Sequence, residues 1–230
     1  MTTDRGGVPV RRRAVRSGRR LAVLGAAAAF TVLLAQHTTT AAFTGQTGDT
    51  ANQVTTASTF CTTPGSDTAV AGEDSSTNGT PGSTSTPNAS GNLAVGTSTA
   101  GDGYGYIRFT DMDTVPSRCR ILSATLTLYA GTAQAATMQV QRAASSWSQA
   151  SLNWSNQPAG TGTPVPLAVT GAVGPHAFPV TQLVQDIYNG TNYGFLVRDQ
   201  ASLTATRYQI YSSFENGTVA NRPKLSFSWG

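Results

Sequence analysis

The sequence predicts an all-β fold: a jelly-roll-like, two-sheet antiparallel β-sandwich with one short helix. Three observations predict it. Apolar and polar residues alternate at period two in several short runs. Gly, Pro and Asn separate those runs with turn chemistry. A single stretch, VTQLVQDIYNG, spaces its apolar residues at helical intervals instead. Many short strands, many turns and almost no helix is the pattern of two packed sheets.

Residues 1–42 are read as a signal peptide ahead of the fold. Arg11, Arg12, Arg13, Arg16, Arg19 and Arg20 precede the apolar run from Leu21 to Ala35. That run falls short of the roughly 20 residues that a membrane-spanning helix needs. Small residues offer cleavage after Ala41 or Ala42. The Arg19–Arg20 pair fits twin-arginine export, but the residues that follow it suit the ordinary secretory route better. A leader kept as an anchor is the alternative, so membrane contact is expected only through this segment. Such a leader predicts a secreted, extracellular bacterial protein that can stay at the cell surface.

Setting the leader aside reverses the charge. The whole chain is +4, with a pI near 9.4, but seven of its 15 Lys and Arg residues lie in the leader. From Phe43 onward there are 8 basic and 10 acidic residues, a net charge of −2. The basic pI therefore reports targeting and gives no ground for a nucleic-acid partner.

Residues 43–62 read as an extended, polar N-terminal arm, and residues 63–230 as the sandwich. Two cysteines in an exported chain predict a Cys61–Cys119 disulfide. A metal role for them is disfavoured, because His176 is the only histidine after the leader. DTAV (67–70) is a short strand. Residues 72–92 carry no large apolar side chain and read as a flexible surface loop. NLAVG follows, then YGYIRF, with Ile107 and Phe109 on one face and Tyr106 and Arg108 on the other. ILSATLTLYA places Leu122, Ala124, Leu126, Leu128 and Ala130 on one face. TMQVQR alternates through Met138 and Val140. The helix carries Val180, Leu183, Val184, Ile187 and Tyr188, with Thr181 as its cap and Gly190 as a left-handed stop. YGFLVR, RYQIYSS and KLSFSW close the chain as strands. Leu225, Phe227 and Trp229 share a face in the last. No internal repeat is visible.

The order of these pieces resembles the DNRLRE-domain family, related to carbohydrate-binding module family 96. YIRFTDMDTVPSRCRILSATLTLYA is similar to that family's strand, turn and strand. SSWSQASLNWSNQP, with Trp147, Trp154 and Pro158, is similar to its W-x-E-x-x-V-x-W-x-x-x-P segment. FPVTQLVQDIYNGTNYGFLVRD, with Thr181 and Gly194, matches its V-T helix and N-Y-G-F-L strand, and NRPKLSFSW, with Pro223, its terminal R-P-x-L strand. The likeness spans about residues 60–230. Gln149 stands where the family usually has glutamate, and Pro179 where an aspartate usually precedes V-T. The resemblance implies a jelly-roll-like sandwich, secretion and association with polysaccharide or cell wall.

Trp147 and Trp154 lie seven residues apart and are either core plugs or a stacking platform. A buried tryptophan removes up to about 250 Å² from water, worth several kcal/mol at about 25 cal/mol per Å². A stacked ring contributes about 1–3 kcal/mol. The comparison favours plugs. Tyr104, Tyr106 and Arg108 are the ligand candidates, because tyrosine stacks on sugar rings and arginine forks onto carboxylates. The competing reading makes them a second packed face. Asp111 and Asp113 flank a turn where Ca²⁺ is conceivable, but no D-x-D-x-D-G loop is present, so the reading is no cofactor, and no metal unless calcium sits there.

Catalysis is not expected. His176 stands alone beside Gly174 and Pro175, and no G-x-S-x-G elbow occurs. Glu73 and Glu215 are the only glutamates after the leader, and Glu73 borders the expected loop, so no facing carboxylate pair is evident. The expected function is a secreted, non-catalytic module that binds polysaccharide or cell-wall glycan. The alternatives are a structural surface or matrix protein without sugar recognition, and an extracellular polysaccharide-degrading enzyme.

Overall fold

A computed structural model of the chain describes residues 61–79, 91–98, 101–112, 114–200 and 207–230. The predicted leader, the arm up to residue 60 and Asp113 lie outside the described residues. The protein is all-β, with eleven strands and one α-helix among the described residues: β1 (Gly65–Val70), β2 (Glu73–Gly79), β3 (Asn92–Ser98), β4 (Gly101–Arg108), β5 (Ile121–Thr132), β6 (Ala135–Ala143), β7 (Gly160–Thr170), β8 (Gly174–Pro179), α1 (Thr181–Tyr188), β9 (Phe195–Asp199), β10 (Arg207–Ser212) and β11 (Lys224–Trp229). A 3₁₀ turn, Val219–Asn221, precedes β11.

The two layers of the predicted sandwich are stretches of one curled, antiparallel ladder, in the order β1-β11-β5-β10-β3-β4-β9-β6-β7. Two strands branch it. β5 pairs with β11 and β10, and also with β8. β4 pairs with β3 and β9, and along its whole length with β2. The main core lies between the layers. Leu93 and Val95 of β3, Ile107 of β4, Leu126 and Leu128 of β5, Val140 of β6, Phe178 of β8, Phe195 and Val197 of β9, and Leu225 of β11 all point into it. Cys61 and Cys119 form the predicted disulfide, with Cα atoms 4.4 Å apart.

Several expectations need correction. Residues 73–79 are strand rather than loop. Asp74, Ser75, Ser76 and Thr77 are buried there, and Asp74 and Thr77 hold polar partners: Asp74 accepts from Phe214 N–H at 2.6 Å, and Thr77 donates to Gln157 Oε1 at 2.8 Å. A strand buried through hydrogen bonds shows no apolar period, which is why composition pointed to a loop. Residues 80–90 lie outside the described residues. Leu122 is 61% exposed and Ile121 is buried. Ser228 faces Ser123 but Trp229 faces Ile121, so a bulge adds one residue to β5 and reverses the faces at its start.

The helix forms where its period placed it and buries Leu183, Val184 and Ile187. Its ends differ from expectation. Thr181 is the first helical residue, and its hydroxyl accepts from Ala124 N–H at 3.0 Å. Gln185 Oε1 accepts from Ile121 N–H at 2.8 Å, and Val180 N–H donates to Ala124 O at 2.9 Å. α1 thus serves the stretch of β5 that β8, paired only from Thr125 to Ala130, does not reach. Gly190 is not in the left-handed region; the chain leaves through Asn189, which is right-handed helical.

β7 and β8 were not foreseen. They carry Pro164, Pro166, Pro175 and Pro179. His176 lies on β8 rather than in a loop.

Candidate functional site

Alternation along β4 and β9 creates two faces. Ile107, Phe195 and Val197 enter the core, as does Phe109 just beyond β4; Tyr106 and Leu196 point the other way. On that outer face a second apolar cluster forms from Tyr106, Ala143, Trp147, Leu152 and Leu196, flanked by Tyr104 and Tyr193. The segment 144–159 folds over it. Its base closes through Ala144 N–H to Ala159 O at 2.9 Å. Asn153 and Asn156 hold its tip, the Asn153 side chain accepting from Ser155 N–H and the Asn156 side chain from Asn153 N–H.

The two tryptophans divide here. Trp147 is buried, donates Nε1–H to Tyr193 O at 2.7 Å and packs on Tyr106 at 5.7 Å between ring centroids. Trp154 is half-buried and leans on the half-buried Tyr104 at 5.1 Å, with the rings inclined at 44°. The first is a plug; the second leaves part of an aromatic surface open.

The three ligand candidates separate in the same way. Tyr106 is fully buried, and its hydroxyl donates to Pro158 O at 2.6 Å. Burial first, and the neighbouring Tyr104 second, push its phenol above the ordinary range. It belongs to the second packed face, not to a ligand surface, because segment 144–159 covers it. Arg108 pairs with Glu73, and its guanidinium lies over the Trp147 ring at 5.5 Å. It is a strut between β2, β4 and the covering segment. Tyr104 alone keeps an open face.

Tyr104 has neighbours that the sequence reading missed. Gly105 pairs with Val197, so one step along the same register puts Tyr104 opposite Arg198. Arg198 in turn pairs with Gln139 of β6. Tyr104 also pairs with Thr77 of β2, whose hydroxyl holds Gln157. A row of Thr77, Tyr104, Arg198 and Gln139 therefore crosses the outer face. Arg198 is half-buried and donates to Gln141 Oε1 at 3.1 Å. The Gln139 amide, oriented to satisfy both groups, offers its oxygen 2.9 Å from Arg198 Nη2. Among the described residues these partners are neutral amides, and the three ion pairs involve Arg108, Arg142 and Arg207 instead. The guanidinium has no ion-pair partner among the described residues, and the register places Arg198 beside the half-open aromatic pair. The signal was present in YGFLVR, where Arg198 shares the parity of Leu196; reading it required the β4–β9 register.

The other motif residues are structural. Pro158 is buried beneath Tyr106. Gly194 has φ +79°, and a side chain there would meet Ile107 O at 2.3 Å. Pro223 is buried, and its carbonyl accepts from Ala71 N–H at 3.3 Å. Asp111 is exposed and accepts from Thr110 at 3.2 Å. No group of three His, Cys, Asp or Glu among the described residues has metal-binding geometry. His176 is buried against the Tyr211 hydroxyl at 2.9 Å, and burial lowers its pKa.

The model of carbohydrate-binding module family 96 matches residues 58–228, and no curated protein matches the chain.

Proposed function

Because the chain belongs to carbohydrate-binding module family 96, we propose that it binds an acidic polysaccharide, free or in the cell wall, on the outer face around Tyr104, Trp154 and Arg198. The observation that supports this reading is the half-open Tyr104–Trp154 pair beside a guanidinium held, among the described residues, by amide oxygens. Aromatic rings accept the apolar face of a sugar. Among the described residues Gln141 and Gln139 take up Arg198 Nη2 and Nε, which leaves Nη1 to donate to a uronate carboxylate or a sulfate. Gln157, held by the buried Thr77 hydroxyl, supplies an amide group at the rim. The ligand enters from outside the cell, in keeping with the leader and the disulfide.

This reading is non-catalytic. Glu73 is occupied by Arg108 and by the Gln149 N–H, Asp74 is sealed from solvent, and His176 is sealed on β8. None faces the open aromatic pair.

The test is an array of neutral, uronic-acid and sulfated polysaccharides, followed by titration of the best ligand. Trp154→Ala should weaken binding by about 1–3 kcal/mol, as loss of a stacked ring does. Arg198→Gln should abolish the preference for acidic over neutral chains, and salt should weaken wild-type binding. Retention on neutral glycans that ignores Arg198 would remove the acidic part of the reading. A folded protein that retains none of the glycans would leave the structural surface-protein reading in its place.

A further inference from the structure

Gln149 ties the covering segment to the rest of the fold through two carboxylates. Its N–H donates to Glu73 Oε1 at 2.6 Å, and its side-chain amide donates to Glu215 Oε1. Behind this joint lies Asp74, 1% exposed. Its Oδ2 accepts from Phe214 N–H at 2.6 Å; its Oδ1 is buried with no hydrogen-bond partner. The neighbouring group is the Glu215 carboxylate, which also accepts from Ser213 Oγ at 2.9 Å.

A sealed carboxylate beside a half-buried one is disfavoured from carrying charge unless a cation lies between them. Among the described residues the surrounding charges do not supply one. Glu73 and Arg108, on β2 and β4, neutralise each other. Arg222 is turned onto the Phe214 ring at 5.4 Å and donates to Asn216 O. We propose that Asp74 holds a proton on its unpartnered Oδ1 and donates it in a hydrogen bond to Glu215, forming a pH-sensitive latch on the segment that carries Trp147 and Trp154. With the proton in place, Asp74 donates to Glu215, and Glu215 stays fixed on Gln149. Without it, the two carboxylates repel, Glu215 is displaced, and one of the two ties on Gln149 is lost. The tryptophan segment then loosens. The consequence for ligand affinity rests on the reading of the glycan site above; the latch itself does not.

Burial first, and the charge of Glu215 after it, raise Asp74 from 3.8 to about 7, against the lowering effect of the Phe214 hydrogen bond. A folded-state value above the unfolded one means that the fold holds the proton more tightly. Stability from this site is therefore complete below about pH 4 and declines as pH rises through 7.

The experiment is thermal melting from pH 4 to pH 8.5, without glycan, on wild type, Asp74→Asn and Glu215→Gln. Hydrogen exchange around Gln149, corrected for intrinsic pH dependence, accompanies it. The folding constant of wild type should fall between pH 4 and 8 by up to on the order of a thousandfold relative to Asp74→Asn. Protection at Gln149 should fall in parallel. Asp74→Asn imitates the protonated acid and should remove this slope; Glu215→Gln ends the repulsion and should reduce the slope while leaving the larger part that burial of Asp74 sets, so if Asp74→Asn does not fold, a Glu215→Gln slope equal to that of wild type overturns the latch. Identical slopes in all three proteins would overturn the latch. So would recovery of the wild-type melting temperature at pH 8 on adding calcium, which would mark the pair as a cation site. Because these melts contain no glycan, a failure here leaves the binding proposal standing, and a failed glycan array leaves the latch standing.

Discussion

Trp147 and Trp154 share a motif and a segment, yet only Trp147 is sealed, by Tyr106 beneath it, Arg108 over its ring and the Tyr193 carbonyl on its N–H. Trp147→Ala should therefore destabilise the protein by about 3–5 kcal/mol, visible as a lowered Tm. Trp154→Ala should leave Tm nearly unchanged while binding falls. Tyr106→Phe is a finer probe. It strands the Pro158 carbonyl in a buried place and should cost about 1–3 kcal/mol in chemical denaturation, with no effect specific to ligand. The sequence identified Tyr104 and both tryptophans as the residues to weigh. It could not divide them, because exposure depends on how residues 144–159 lie across β4, and no local pattern encodes that.

At the scale of elements, α1 doubles as an edge for β5. Thr181 and Gln185, one turn apart, accept the N–H groups of Ala124 and Ile121 that lack a strand partner. Thr181→Val should leave the Ala124 N–H unsatisfied and cost about 1–3 kcal/mol in a denaturation curve, while the helix signal in circular dichroism is retained. Loss of the helix itself would mean that Thr181 acts as a cap after all. The helix was legible because its apolar spacing is local. Its ends were not, because the hydroxyl that favours an N-cap serves a strand instead. β2 was illegible for a related reason: its buried side chains are Asp, Ser and Thr, so their burial left no hydrophobic period to read.

For the whole molecule, alternation in ILSATLTLYA, YGFLVR and KLSFSW made the all-β class legible from sequence. The branching of the ladder at β4 and β5 did not follow, since it depends on pairings between residues far apart in the chain. The disulfide joins the segment before β1 to the turn that enters β5, across 58 residues. Reducing it, or replacing both cysteines by serine, should cost about 4 kcal/mol in the chain-entropy account, measured as a shift of the denaturation midpoint. An unchanged midpoint would mean that the sheet alone confines that loop.

The prolines of β7 and β8 bear on how the molecule behaves among its own copies. Pro164 and Pro166 are exposed on the last strand of the ladder, and Pro175 and Pro179 lie on a strand whose ladder partner is β5. Pro164 lies where β7 shifts register against β6, Pro166 just beyond it, and Pro175 and Pro179 share one parity on β8, so amide donors are missing at intervals along such a margin. A neighbouring molecule offering a strand of its own would find no continuous row of donors to zip against, and fibril growth would stall at that margin.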